Sequence, residues 1–215
     1  MKKSFFGIVL ASVLLFSSNT IQAQKSFEGT IVFVIDVNGD GLPDQVKQMM
    51  AGSEMTVCMK GEKSRTDLKM GPQQTITIGD AKTMTSFTLL DMMGQKYKIN
   101  AKPDDKKPDI TVKELTETKE IAGYKCNKAE ITAVGSPEPM TVYYTSEIKN
   151  NGYNSKIKGI KGYPLAFEVN QSGMKMTFTA KTVTKEKLED SKFNIDTKEY
   201  KETTQEELMK SMGQH

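Results

Sequence analysis

The chain of 215 residues has no tryptophan and a single histidine, His215, which is its last residue. Nucleophilic catalysis by a Ser/His/Asp or Cys/His set needs an imidazole that its neighbours hold in place, whereas terminal residues are usually frayed. A histidine-rich metal site is excluded because the chain has only this one histidine. No spacing predicts convergence for any pair among the carboxylates Asp36, Asp40, Asp80, Asp91 and Glu168. We therefore expect a protein that is not an enzyme, with no catalytic residue and no cofactor.

An excess of charge of one sign is also lacking. Removing Lys2 and Lys3, which precede the N-terminal apolar run, from the 30 basic residues leaves 28 against 27 acidic residues. Nucleic-acid-binding domains concentrate positive charge on one stripe or face, but here lysines alternate with carboxylates along most of the chain. We expect no nucleic-acid partner.

Only one long apolar run is present, from Phe5 to Phe16, and it is too short to span a bilayer. Two lysines precede this run, and a small-residue exit follows at Ala23, which is the pattern of a secretory signal peptide. No cysteine stands at the exit to receive a lipid anchor. We expect cleavage near Ala23 and an exported, periplasmic or extracellular protein without a transmembrane anchor.

The remaining residues, 24–215, contain neither a linker rich in Pro, Gly or Ser nor an internal repeat, so we expect a single domain. Helical spacing predicts a short helix over Leu42–Ala51, and a capping box at Thr204 and Glu207 predicts another through Met212. Alternating and β-branched segments predict about eleven strands. These are Phe27–Val37, Met55–Lys60, Ser64–Met70, Gln73–Gly79, Thr83–Leu90, Gln95–Ala101, Ile110–Ile121, Tyr124–Val134, Met140–Ser146, Tyr163–Gln171 and Met174–Thr184.

One segment matches the first nine positions of a calcium-binding loop, with oxygen ligands at Asp36, Asn38, Asp40 and Asp44. The position of the bidentate glutamate holds Lys47 instead. The alternative is a polar turn between strand and helix, in which an aspartate caps the helix. Both interpretations stay open, and we assign no metal site.

Cys58 and Cys126 are the only cysteines, and both fall in predicted strands. A disulfide is permitted in an exported protein, while two buried free thiols are the alternative. Arg65 is the only arginine, and its planar guanidinium suits a bidentate ion pair that lysine cannot reproduce. We expect either a structural pair with Asp67 or Asp80, or a ligand contact.

Methionine is unusually frequent, with 14 residues in the chain. A methionine-lined surface can adapt to flexible apolar ligands, although methionine also fills gaps in ordinary cores. The methionines that interest us are Met49, Met50, Met55, Met59, Met70, Met84, Met92, Met93, Met174 and Met176.

Five segments resemble a family of exported bacterial proteins described as a domain of unknown function, the DUF4412-like proteins. They are 60–65 (KGEKSR), 116–126 (TETKEIAGYKC), 142–145 (VYYT), 159–165 (GIKGYPL) and 180–183 (AKTV). The insert Asn38–Gly41 departs from the family's pattern. The family has no assigned activity, so the resemblance carries over no functional residue.

The resemblance implies a fold similar to that of the LolA and LolB lipoprotein carriers, in which an incomplete barrel holds acyl chains. Together with the strand count, it predicts a mainly β protein: one curved antiparallel sheet or incomplete β-barrel, with the Leu42–Ala51 helix covering the concave face. Met49, Met50, Met174 and Met176 are the expected cavity walls. We therefore expect a carrier for a lipid or an acylated lipoprotein, or alternatively a structural or interaction module of the cell envelope, stabilised by calcium at Asp36–Asp44.

Overall fold

The computed structural model describes residues 26–39, 43–92, 94–101, 110–133, 138–153, 157–171 and 174–211. The predicted signal segment, the loop 102–109, Asp40, Gly41, Met93 and Met212 lie outside these residues. No helix in the described ranges is long and apolar enough to cross a membrane.

The described ranges form one open, curved sheet with two short α-helices, which confirms the predicted mainly β class. The strands are β1 (Glu28–Asn38), β2 (Glu54–Lys60), β3 (Lys63–Met70), β4 (Gln73–Asp80), β5 (Thr85–Met92), β6 (Gln95–Asn100), β7 (Ile110–Ile121), β8 (Tyr124–Ala133), β9 (Met140–Thr145), β10 (Tyr163–Gln171), β11 (Met174–Lys185) and β12 (Lys201–Thr203). The helices are α1 (Asp44–Met50) and α2 (Gln205–Ser211), and a 3₁₀ turn spans Asp190–Phe193.

The strand order is β12-β6-β5-β4-β3-β2-β1-β11-β10-β9-β8-β7, so β1 lies near the middle of the sheet. On one side of β1, strands β2 to β6 follow one another as hairpins, and we call them the first arm. On the other side, β7 to β11 form the second arm. Neighbouring strands are antiparallel throughout, except that β12 pairs parallel with β6.

The main core lies on one face of β1, where Ile31 and Phe33 are fully buried. The Phe167 ring stacks on Phe178 with ring centroids 4.6 Å apart and meets Phe33 edge-on at 6.1 Å. The same cluster includes Cys126 of β8, which lies four strands from β1 in the sheet order. The second arm curls, because β11 and β7 contact each other although they lie four strands apart in the sheet order. It curls around this face, since Lys185, which pairs with Gly29 on the Phe33 side, places its Nζ over the Tyr124 ring of β8. The face that carries Phe33 is therefore the concave one.

A segment after β11, residues 186–193, crosses the opposite, convex face of β1 to β3, and we call it the strap. The Leu188 backbone N–H donates to Glu28 Oε1 at 2.9 Å, and the Leu188 carbonyl accepts from Lys60 Nζ at 2.7 Å. Farther along, Arg65 Nη1 donates to the Lys192 carbonyl at 3.1 Å. Polar contacts from three neighbouring strands thus hold the strap in place.

The two cysteines lie on opposite faces of the sheet. Cys58 stands between Val57 and Met59 on β2, and it packs under Leu188 of the strap on the convex face, whereas Cys126 belongs to the concave core. Both are buried free thiols. Of the two alternatives, the structure therefore has the free thiols, because the sheet itself separates the sulfur atoms.

Burial raises the pKa of the Cys126 thiol from 9.0 to about 11, with a smaller contribution from the Glu147 carboxylate. Because the folded protein then holds this proton more tightly than the unfolded chain, the stability contributed below pH 9 is lost as the pH rises towards 11. We expect Cys126→Ala to flatten this part of the curve of unfolding free energy against pH, measured by urea denaturation. Cys58→Ala is the matched control, and equal slopes in all three proteins would contradict the prediction.

The helix α1 is shorter than predicted and covers little of the sheet. It contributes no buried residue, and Met49 is 52% exposed. Its C-terminal end instead lies against the β3–β4 turn, where a Cβ at Gly71 would stand 2.9 Å from the Met49 carbonyl oxygen. The helix buries none of its own side chains, so its predicted role as a cover of the concave face stays a prediction.

Candidate binding surface

The strand register sorts the charged residues onto one face of the sheet. On β3, Arg65 pairs with Cys58 on the convex side, and Leu68 pairs with Met55 on the concave side. Because successive side chains of a strand point to opposite faces, every residue of β1 to β6 can be assigned in this way. In these strands, as the structure describes them, the charged residues all lie on the convex face: Glu28, Asp36, Glu54, Lys60, Lys63, Arg65, Asp67, Lys69, Asp80, Asp91, Lys96 and Lys98.

The second arm continues the same division close to β1. Glu168 and Lys175 form an ion pair of 2.9 Å on the convex face, while Phe167 and Met176 face inwards. Lys185, at the end of β11, lies on the concave side, where its Nζ lies over the Tyr124 ring. In a chain with 27% charged residues, so complete a division requires a physical reason.

Part of the concave face is apolar but not closed. We call its half-buried apolar side chains the concave patch. Its residues pack against the main core, come from β1, β2, β3 and β10, and are Val37, Met55, Leu68, Met70, Phe167 and Val169. Side chains from both arms thus converge on one surface, which ordinary core packing leaves partly accessible.

A row of threonines borders the concave patch on the first arm, and we call it the threonine row: Thr66, Thr75, Thr77 and Thr88. Thr75 lies opposite Leu68 of the patch in the β3–β4 register. The hydroxyls of Thr77 and Thr88 are 3.0 Å apart and hydrogen-bonded across β4 and β5. All four side chains are half-buried.

The first part of the segment between β9 and β10, residues 146–153, packs against one end of the concave face. Ile148 at its start is fully buried in the main core, and the Tyr153 carbonyl accepts a hydrogen bond of 2.9 Å from Ser64 Oγ of β3. The loop approaches so closely that a Cβ at Gly79 would lie 3.0 Å from the Tyr153 oxygen. A glycine is therefore required on β4 where the loop crosses from the second arm to the first.

Arg65 has a structural role. Its guanidinium contacts both carboxylate oxygens of Asp67, with Nε to Oδ2 at 2.9 Å and Nη2 to Oδ1 at 2.9 Å, and its remaining nitrogen binds the strap. Within the described residues, Asp80 instead accepts the backbone N–H groups of Lys82 and Thr83. The predicted ion pair with Asp67 is confirmed, and it places Arg65 on the convex face.

The calcium-loop residues are only partly described. Asp36 and Asn38 are exposed at the end of β1, while Asp44 lies 3.6 Å from Lys47 in an ion pair of α1. No group of three or more potential metal ligands occurs among the residues that the structure describes. Since Asp40 lies outside them, the calcium hypothesis stays a prediction.

Sequence reasoning missed one polar cluster on the second arm. A bulge in β7 between Glu114 and Thr118 brings Glu117 to Lys128 at 2.8 Å and to the Tyr143 hydroxyl. The hydrogen bond from Lys128 lowers the pKa of Glu117, and the hydrogen bond from Tyr143 lowers it further. The charged and polar groups of this cluster are paired with one another. The sequence could not reveal it, because the bulge that brings Glu117 to its partners was not predicted.

Two clefts elsewhere are small or polar. One of about 20 Å³ lies beside Met59, Gly61 and Lys149. A more open one of about 240 Å³ is lined by charged residues of the convex side, Lys60, Glu62, Lys63, Asp80, Lys82 and Asp190. Neither suits an apolar ligand, because the first is about the size of one water molecule and the second is lined by charged side chains.

Comparison with known proteins adds the fold alone. No family model and no curated protein matches this chain. Two solved structures of PNGF-II, in space groups P21 and C2, superpose with TM-scores of 0.53 and 0.52 at 17% sequence identity. The likeness is one of fold. It covers 86% of this chain but only 33% and 32% of the PNGF-II chains, so this chain spans about a third of their length.

Proposed function

We propose that the protein is a non-enzymatic binding or carrier protein that holds an acyl chain on the concave patch. One observation carries the proposal, namely the exclusion of charged residues from the concave face of β1 to β6. Folding alone requires no such exclusion at half-buried positions, because long charged side chains can keep their heads in water. A surface that binds an apolar chain does require it, since burying an uncompensated charge is costly.

The shape and composition of the patch support an acyl chain. Met55 and Met70 are unbranched and can adjust to a flexible chain, while Phe167 and Val169 offer a firm opposite wall. Each methylene group that leaves water contributes about 0.8 kcal/mol. The proposal includes export directed by the N-terminal segment. Cleavage near Ala23 would remove that segment and leave the carrier free to diffuse in the periplasm.

Native mass spectrometry of the protein purified from its own host tests the proposal. We expect a mass excess that organic solvent extraction removes, and the fragment spectrum of the released compound distinguishes a free lipid from the acylated peptide of a lipoprotein. The protein would bind added acyl chains again after extraction. A ligand-free mass before extraction, together with no binding of added lipid, would contradict the proposal.

Adjacent residues on β10 provide a matched pair of variants. Val169→Lys places a charge on the concave patch, whereas Asn170→Lys places it on the exposed, convex side of the same strand. We expect Val169→Lys to weaken binding of a neutral alkyl naphthylamine probe at least about 10-fold, the equivalent of 1.4 kcal/mol. Asn170→Lys should leave it unchanged. Thermal melting checks that both variants fold, and equal affinities would contradict the assignment of the site.

A second candidate is a structural or interaction module, which the PNGF-II comparison favours because a similar fold there occupies a third of a longer chain. Calcium at Asp36, Asn38, Asp40 and Asp44 would stabilise such a module. Calorimetric melting with calcium and with a chelator tests the metal's role. A ligand that binds only the folded state raises the melting temperature, so unchanged melting would remove calcium from this hypothesis.

A further inference from the structure

The concave patch does not stand alone, because the threonine row adjoins it on the first arm. Thr66 precedes Leu68 by two residues on the same face of β3, and Thr75 lies opposite Leu68 on β4. Thr77 and Thr88 extend the row outwards to β5. A ligand that covers Leu68 and Met70 therefore has hydroxyl groups within reach at one side.

The threonine row has free hydrogen-bonding capacity. Thr77 and Thr88 share one hydrogen bond, which leaves further acceptor positions on both oxygens. Among the described residues, Thr66 and Thr75 make no side-chain hydrogen bond, and their half-buried hydroxyls face the same concave surface. These groups can both donate to and accept from a polar ligand group.

We propose that the ligand is an uncharged amphiphile, with a hydroxyl-bearing head on the threonine row and its acyl chain on the concave patch. The inference rests on the proposed function and narrows its ligand class. A phosphate or carboxylate head would find no cation on the concave face of β1 to β6. Neutral hydroxyl groups, by contrast, lose little on leaving water when other hydroxyls replace their hydrogen bonds.

Probes with one acyl chain and different heads test this ligand class. We expect a monoacylglycerol to compete with the neutral naphthylamine probe at least 10-fold better than the lysophosphatidylglycerol or the free fatty acid of the same chain length. The measurement uses the solvent-extracted full-length mature protein at neutral pH. Equal competition by the anionic probes would overturn this inference and leave the proposed function standing.

A double variant, Thr77→Val with Thr88→Val, removes two hydroxyls and keeps β-branched side chains of similar shape. We expect it to lose most of the preference for the monoacylglycerol and to bind a hydroxyl-free alkyl probe as before. Thr177→Val is the matched control, because Thr177 pairs with Asp36 and Glu168 on the convex face. An unchanged preference in the double variant would overturn the role of the threonine row. If none of the acyl probes binds, the proposed function fails and this inference with it.

Discussion

Replacing Phe33 with alanine is expected to lower the free energy of unfolding by about 3–5 kcal/mol, in the range of buried aromatic truncations. Phe33 is fully buried in β1, and its ring meets Phe167 edge-on from β10. Because β1 joins the two arms, the cavity would open where neither arm can close it without moving the other. Urea denaturation followed by circular dichroism measures the change.

Met84→Ala is the matched control for Phe33→Ala. Met84 is 65% exposed and lies outside the main core, so its truncation should change stability by no more than about 0.5 kcal/mol. A loss below about 1 kcal/mol for Phe33→Ala would contradict the placement of this ring at the centre of the concave core.

Most strands could be predicted from the sequence because they carry local signals. Ile110–Ile121 and Tyr163–Gln171 agree at both ends, and the capping box is confirmed by reciprocal hydrogen bonds between Thr204 and Glu207, at 2.9 and 3.2 Å. The prediction of about eleven strands missed β12. Its three residues lack alternation, and they become a strand only because β6 presents a free edge for parallel pairing.

The covering segments could not be predicted, since they depend on contacts between distant parts of the chain. The β9–β10 loop contains the Gly and Asn residues of an irregular segment, but its crossing of the concave face depends on Ser64 and Gly79. The strap likewise has no periodicity, and its course follows from Lys60 and Arg65 on the sheet. A composition signal, the single arginine, did point to one of these anchors.

The methionine content predicted an apolar binding surface but not where on the sheet it lies. Met55 and Met70 lie on the concave patch, and Met176 is buried beside it, opposite Val169, whereas Met49 is largely exposed on α1. The more specific signal was the alternation of charged and uncharged residues along β3, in which Lys63, Arg65, Asp67 and Lys69 alternate with Ser64, Thr66, Leu68 and Met70. The uncharged residues of β3 form part of a continuous surface only because the strand register places them beside uncharged residues of β2 and β4.

The second large effect is expected on the convex face, where Leu188→Ala should loosen the strap without unfolding the sheet. Leu188 is 2% exposed and packs on Cys58 with Phe193. Its truncation should cost about 2 kcal/mol or more. The backbone groups of residue 188 keep their hydrogen bonds to Glu28 and Lys60, so the loosened strap stays tethered.

Alkylation of Cys58 by a neutral maleimide reports the opening of the strap, because Leu188 and Phe193 of the strap pack on this thiol. Cys126 belongs to the core on the other face of the sheet, so opening of the strap does not expose it. A local cost of about 2 kcal/mol corresponds to a roughly 30-fold faster reaction, if opening limits access to the thiol. Cys126 should stay protected in the same sample, which distinguishes strap opening from global unfolding, and peptide mapping separates the two thiols. Lys187→Ala, which removes an exposed side chain of the strap, is the control and should leave the rate unchanged. Equal acceleration at both thiols would show that the strap does not open by itself but is part of the same cooperative unit as the concave core.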